Sequence, residues 1–352
     1  MGGYHRGEIA VQERAGFARQ AGHARGAIGN TVPDVSVAFL ADQLHLVVGG
    51  ADERGRIWAT QLTGDPGFLT VPGPHTLHIG ALPPPEDPLA AVLTGAGAGA
   101  AGGAAAGTGT GTGTGTGAAG GAAGTSTGTE TRTGTSSGIG FGADPAPVAI
   151  GMIGIEPATR RRMRMNGRAV RDGDGLRVEL DQVISNCPKY IQKRDHHPAP
   201  ATPLPRTAVD STELSPEQQR ALRAADTFFV ATASDRGDAD ASHRGGNPGF
   251  VQVLSPRLLR WPDYAGNAMF LTLGNLELNP AAGLLVPGWE TGTSLHLTGS
   301  ARTVWDEEEV ARTPGAQRIV EFEIAAVREI AAASPLRWTE PAYSRFNPPT
   351  SG

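Results

Sequence analysis

The sequence predicts a mainly β, α+β chain built as two tandem copies of a small antiparallel barrel, packed on each other as an intramolecular pseudo-dimer with flanking helices. Three observations lead there. The chain matches itself twice, its alternating apolar segments are separated by turns more often than by helices, and a low-complexity stretch interrupts the first copy. Self-similarity is weighed first because a repeat decides the architecture.

The first match pairs Ala51–Phe68 with Ala233–Phe250 without a gap, at an offset of 182 residues and with eight of eighteen positions identical. The second pairs Gly151–Gly167 with Gly283–Gly299 at an offset of 132, and both copies alternate before their last glycine, Met163 and Met165 against Leu295 and Leu297. The offsets differ by 50, so the first copy holds about that many extra residues between its matched blocks. That extra is the run from about Thr94 to Gly142, almost wholly Gly, Ala, Thr and Ser. Such a segment buries too little apolar surface to offset its ordering entropy, which predicts a disordered insert, with a Gly-Thr β-hairpin as the alternative. No Gly-Lys-Ser/Thr follows these glycines, so they do not read as a phosphate-binding loop.

Each copy opens with a helix, near Asp34 to Gln43 in the first and from Ser215 to about Ala225 in the second. Ser215, Pro216 and Gln218 supply an N-cap, a first-turn proline and a capping-box partner. Apolar strands follow at Leu46–Gly49 and Phe228–Thr232, then an acidic/Arg-Gly turn and a second strand. A short helix and further alternating strands complete each copy. A β-sandwich is the alternative, and a doubly wound fold is disfavoured because no regular helices separate the strands. The division expected is a first half at 1–194 carrying the insert at about 94–142, a Pro-rich linker at 195–213, and a second half at 214–352. Four prolines within His196–Pro205 predict an extended connector.

With 352 residues and 39 % of them hydrophobic, the chain can fill two cores. A net charge of −5 offers no broad positive field for nucleic acid or an anionic membrane. A single cysteine, Cys187, permits neither an intrachain disulfide nor a thiolate metal cluster, in keeping with a reducing cytoplasm. No apolar run approaches the ~20 residues of a membrane span, so a cytoplasmic protein is expected.

Ser242-His-Arg-Gly-Gly-Asn-Pro-Gly-Phe250, Trp261-Pro-Asp-Tyr-Ala-Gly-Asn267 and Thr272-Leu-Gly-Asn-Leu-Glu-Leu-Asn-Pro280 stand in the second copy. The first copy adds Asn186-Cys-Pro-Lys-Tyr-Ile-Gln192 and the amino-terminal Tyr4-His-Arg-Gly-Glu8. Together these segments resemble the pyridoxamine 5′-phosphate oxidase-like family of FMN-binding split barrels, in a tandem, two-half form. The resemblance implies a flavin mononucleotide between two split β-barrels, with contacts from both. A dianionic phosphate needs basic side chains and free backbone N–H groups, and Ser242, His243, Arg244, Gly245 and Gly246 offer that set on one strand. A plain barrel strand ending in a Gly-rich turn is the alternative.

The first copy has Leu62 in the place of Arg244, and the second has Glu329–Ala333 in the place of Asn186–Lys189. Each half keeps what the other lacks, which predicts one composite site. The expected cofactor residues from the first half are Asn186, Cys187, Lys189 and Tyr190. From the second half Asp263, Tyr264, Asn267, Thr272, Asn275 and Trp338 join the Ser242–Gly246 strand. Thr272 stands where related oxidases often carry a basic residue. The cluster Arg160, Arg161, Arg162 and Arg164 is expected to form a solvated strand face, with phosphate contact the alternative. Cys187 reads as structural or flavin-contacting, Tyr190 as a flavin contact or a core aromatic, and Trp338 as a lid or a packing anchor. His196 and His197 lack a third metal ligand at suitable spacing.

The function expected is an FMN-dependent oxidoreductase acting on an unidentified small molecule, as a monomer or homodimer, without nucleic-acid or membrane partners. A non-catalytic flavin-binding or sensing module is the alternative, as is a split barrel using deazaflavin or haem. No acid or base is assigned. Vitamin B6 oxidation is not expected, because its carboxy-terminal substrate-binding pattern is not evident.

Overall fold

The computed structural model of the chain describes residues 3–95, 146–185, 188–198 and 205–350. The expected insert falls outside them beyond Gly95, as do Asn186 and Cys187. Two helices, α1 (Arg6–Arg14) and α2 (Ala18–Ala24), precede the first half. That half comprises β1 (Ile28–Gly29), α3 (Asp34–Ala41), β2 (His45–Ala51), β3 (Ile57–Thr63), β4 (Leu69–Gly73), β5 (Thr76–Ile79), α4 (Ala90–Thr94), β6 (Val148–Glu156), β7 (Arg161–Asp172) and β8 (Gly175–Ser185). After β9 (His196–Pro198), the second half repeats the order. It contains β10 (Thr207–Ser211), α5 (Pro216–Ala224), β11 (Thr227–Ala233), β12 (Ala239–Gly245), β13 (Gln252–Ser255), β14 (Leu258–Tyr264), α6 (Leu271–Leu278), β15 (Ala281–Pro287) and β16 (Ser294–Val304). It ends with α7 (Glu307–Ala311), β17 (Ala316–Ala331) and β18 (Leu336–Trp338).

The two sheets share one topology. The first runs β3-β2-β6-β7-β8-β5-β4 with β1 beside β8, and the second runs β12-β11-β15-β16-β17-β14-β13 with β10 beside β17. Shifting β2 and β3 by 182 residues gives the bounds of β11 and β12, so the sequence repeat is a structural repeat. These are tandem split β-barrels. Two predicted features take their expected form at α5: the Ser215 hydroxyl accepts from the Gln218 N–H at 3.2 Å, and the Gln218 side chain accepts from the Ser215 N–H at 3.0 Å. The stretch expected as a connector does more than span, since β9 pairs with β18 and β10 with β17.

Each barrel has its own apolar core, the first around Leu46, Leu77 and Met165, the second around Phe228, Trp261 and Phe322. A third core lies between them. It joins Val47 and Ile153 of the first half to Phe229 and Leu285, their counterparts at offsets of 182 and 132 in the second. The interface is therefore self-complementary, like that of a two-fold dimer, but within one chain.

Two glycines let the halves approach. A methyl group built on Gly151 would collide with the backbone of Asp240 and Ala241 in β12. Its counterpart Gly283 meets the backbone of Ile57 and Trp58 in β3 in the same way. Neither neighbour is a flexible side chain that could yield. Gly151→Val is expected to lower stability by about 3 kcal/mol, the upper range for overpacking a close contact, read from the urea midpoint. An unchanged midpoint would show that the backbone contact is not required.

Candidate functional site

An open cleft lies at one end of the interface between the halves. Alternation along β7 turns Arg162 and Arg164 of the first half into it, and alternation along β12 does the same for Ser242 and Arg244 of the second. Arg164 donates to the Ser242 hydroxyl and pairs with Asp240 at 3.3 Å. Arg244 donates to the same hydroxyl at 2.7 Å and to the His243 carbonyl at 3.1 Å. Among the described residues no carboxylate lies within ion-pair distance of Arg244. Burial lowers its pKa, partly opposed by the more distant Asp263.

This corrects one expectation. Arg162 and Arg164 do not form a solvated face, because β7 runs beside β12 at the interface, and Arg164 is only 8 % exposed. Arg160 and Arg161 turn elsewhere. Arg160 donates to the carbonyl of Ile191, and Arg161 lies over the Phe39 ring.

His243 packs edge-on against Phe229, with ring centroids 5.7 Å apart. Burial, then Arg162 and Arg244, hold its pKa well below the ordinary value, so the imidazole is neutral. A guanidinium only donates, so Nδ1, 3.1 Å from Arg162, is the acceptor and the ring proton sits on Nε2. Among the described residues, neither Nε2 nor the Arg164 Nε, both buried donors, has a hydrogen-bond partner.

The far wall is aromatic. Tyr190 packs on Tyr264 with ring centroids 5.1 Å apart and planes tilted by 40°, and it donates to the Ala265 carbonyl at 3.0 Å. Burial, then Tyr190, push the Tyr264 pKa up to about 12, so that phenol stays protonated. Lys189 also lines the cleft, its ammonium 5.7 Å from the centre of the Phe346 ring. Gly245 is required here, since a side chain on it would strike the Tyr190 carbonyl.

The floor is the start of α6, including Thr272. The turn before it holds Ala268 and Phe270 in the left-handed region, at φ of 60° and 59°, a costly conformation for residues with a side chain. Asn267 accepts from the Met269 N–H at 3.1 Å, and no side chain caps the helix. Uncapped N–H groups at a helix start favour an anion. Asp263, although at the wall, is tied to Arg318 at 2.8 Å.

The structure thus brings together Ser242, His243, Arg244, Gly245, Asp263, Tyr264, Asn267, Thr272, Lys189 and Tyr190. Gly246, Asn275 and Trp338 do not line this cleft. Gly246 packs behind it against Phe250. Asn275 points from α6 toward α1, its Oδ1 accepting from His5 Nε2 at 2.9 Å and its amide nitrogen donating to the Thr232 hydroxyl at 3.0 Å. Trp338 lies in an aromatic group with His45, His196 and Trp289, with centroids 5.3 to 5.9 Å apart.

That group roofs a second cleft, which the repeat maps onto the first. Ser294 and His296 stand where the first cleft has Arg162 and Arg164, and Thr60 and Gln61 stand for Ser242 and His243. Among the described residues no lysine or arginine lines it. Several of its polar groups are bonded within it. Thr60 donates to Asp87, Ser294 meets His296 Nε2 at 2.7 Å, and His296 Nδ1 lies 2.8 Å from the Ala59 carbonyl.

Two split barrels with a cationic cleft between them define a split-barrel protein of two halves. Residues 214–339, which lie within the second half, match the family model for pyridoxamine 5′-phosphate oxidase, and that half is a split barrel of the pyridoxamine 5′-phosphate oxidase-like family. Among solved structures it is similar to an FAD-binding protein of Mycobacterium smegmatis, at 18 % identity over 34 % of this chain and 98 % of that one, with a TM-score of 0.25. It is also similar to a Corynebacterium diphtheriae protein of unknown function, at 16 % identity over 36 % and 98 %, TM-score 0.27. A third is a pyridoxamine 5′-phosphate oxidase-related, FMN-binding protein of Nostoc punctiforme, at 11 % identity over 36 % and 91 %, TM-score 0.25. No curated protein matches the chain. No described helix is long and apolar enough to cross a membrane.

Glu8 gives a test of the packing under the cleft floor. It is buried between α1 and α6, accepts from the His5 N–H at 2.7 Å, and burial raises its pKa from 4.5 to about 8. Between those values the folded state holds a proton that the unfolded chain has lost, so stability falls as pH rises through that window. Glu8→Gln keeps an acceptor for the His5 N–H and carries no such proton. Thermal melts are expected to show the variant gaining on the native chain from about pH 5 to about pH 8. Parallel pH profiles would show that Glu8 is charged when folded.

Proposed function

We propose that the cationic cleft binds one flavin mononucleotide per chain and that the protein is an FMN-dependent oxidoreductase. The observation that carries this reading is the convergence of Arg162 and Arg164 from one half with Arg244 from the other, beside an uncapped helix start. The fit is chemical. A phosphate supplies acceptors for Arg244, which has no carboxylate partner, and for the buried donors on Arg164 and His243. Thr272 and the first turn of α6 would add a hydroxyl and backbone donors, and Tyr190 and Tyr264 an apolar face for a flat ring. The resemblance carried by the Ser242–Phe250 and Trp261–Asn267 segments supports the same cofactor. When bound, flavin supplies hydride or electron transfer, and the chain supplies orientation and exclusion of water.

The second cleft, without a cation and roofed by Trp338, is not a second flavin site in this reading. Both barrels lie in one chain, so a monomer has a complete cleft. FMN titration followed by flavin absorbance is expected to saturate at one equivalent, and Arg244→Ala to weaken binding about tenfold to a hundredfold, as for loss of a charge-assisted hydrogen bond. A colourless protein that takes up no FMN would refute the cofactor. Turnover with nicotinamide donors separates an oxidoreductase from a flavin-binding module: bound flavin that is never reduced and reoxidised would refute the enzymatic part.

A further inference from the structure

Gln192 lines neither cleft, yet it is 2 % exposed and spends its whole side chain on hydrogen bonds around the cationic one. Its Oε1 accepts from the Ser344 N–H at 2.8 Å and from the Asn347 amide at 3.0 Å. Its Nε2 donates to the carbonyls of Tyr190 at 3.1 Å and Gly246 at 3.2 Å. One amide therefore ties three segments: the carboxy-terminal stretch, the Tyr190 wall from the first half, and the Gly245–Gly246 turn from the second.

The stretch from Ala342 to Pro348 is anchored to both halves. Lys193 and Ala342 exchange backbone hydrogen bonds at 2.9 Å, and Arg160 donates to the Ala342 carbonyl at 3.0 Å. On the other half, Asn347 donates to Asn247 at 3.0 Å, and Asn247 donates to the Pro348 carbonyl at 3.1 Å. Neither contact belongs to a barrel sheet, so this stretch crosses the seam from outside.

Tyr190 needs such support. Its φ of 67° is a left-handed conformation that a bulky residue avoids when released, and its carbonyl faces Gly245 at close range. We propose that residues 342–348 are a strap that, through Gln192, holds Tyr190 in this conformation and so fixes the Tyr190–Tyr264 wall of the cleft. Gln192 is then a positioning residue for the bound ligand. The proposal rests on the flavin reading for the ligand, but its geometry is that of the free protein.

Hydrogen exchange of the ligand-free protein tests it first. Gln192→Ala and Asn347→Ala are each expected to raise exchange about tenfold at residues 188–192 and 262–268 while the barrel strands keep their protection, as for local opening. FMN dissociation constants are expected to rise about tenfold, and the double variant to be no weaker than Gln192→Ala alone because both act through one linkage. Unchanged exchange at 188–192 would overturn the strap, as would effects of the two substitutions that simply add. If Gln192→Ala fails to fold, Asn347→Ala, which alters only the strap, decides the exchange test. Native protein that takes up no FMN would refute the flavin reading and leave the exchange result to judge the strap.

Discussion

The close approach of two glycine-bearing strands to the opposite barrel is the constraint on which the rest of the structure depends. Gly151 against Asp240 and Ala241, and Gly283 against Ile57 and Trp58, set the distance between the halves. That distance places β7 beside β12. Side chains then meet across the seam in sequence: Arg162 with His243, Arg164 with Ser242 and Asp240, Asn166 with Asp240 at 3.2 Å, and Arg168 with Asp238. At one end of this ladder the arginines are paired with carboxylates, Arg168 with Asp238 and Arg164 with Asp240, and at the other Arg244 has none within ion-pair distance among the described residues. The cleft is the cationic end.

A self-complementary interface would give two such clefts, one at each end. The repeat shows how the symmetry broke. The residues that replace the arginines, Ser294 and His296, are bonded within their own cleft, and Leu62, in the place of Arg244, joins the apolar core. Trp338 and Trp289 then cover the position. Once two barrels are fused, each surface is free to change alone, which an identical dimer cannot do. Among the described residues the first cleft has buried donors on Arg164 and His243 without partners, and the second ties Thr60, Ser294 and His296 into internal hydrogen bonds.

Much of this was legible in the sequence because the repeat is ungapped where it matters. The offsets located the paired hairpins, and the capping box located the start of α5. Complementary replacements, Arg244 against Leu62, pointed to a site shared between halves. Arg162 and Arg164 were misread, since alternation tells which residues share a face but not what that face meets. Asn275, read as a cofactor contact from its motif segment, turns to α1, and Trp338, read as a lid or a packing anchor, packs over the opposite cleft. Gln192 carried no signal beyond its place in the motif. Its role depends on groups brought together by the fold, from Tyr190, two residues away, and Gly246, 54 residues on, to Ser344 and Asn347, 152 and 155 residues on.

The most direct test of a single composite site is a crystal structure of the protein grown with FMN. The expected result is one flavin, its phosphate bound by Arg164 from the first half and Arg244 from the second, with the Trp338 cleft empty. Flavin in the Trp338 cleft, or a phosphate held by one half alone, would contradict it.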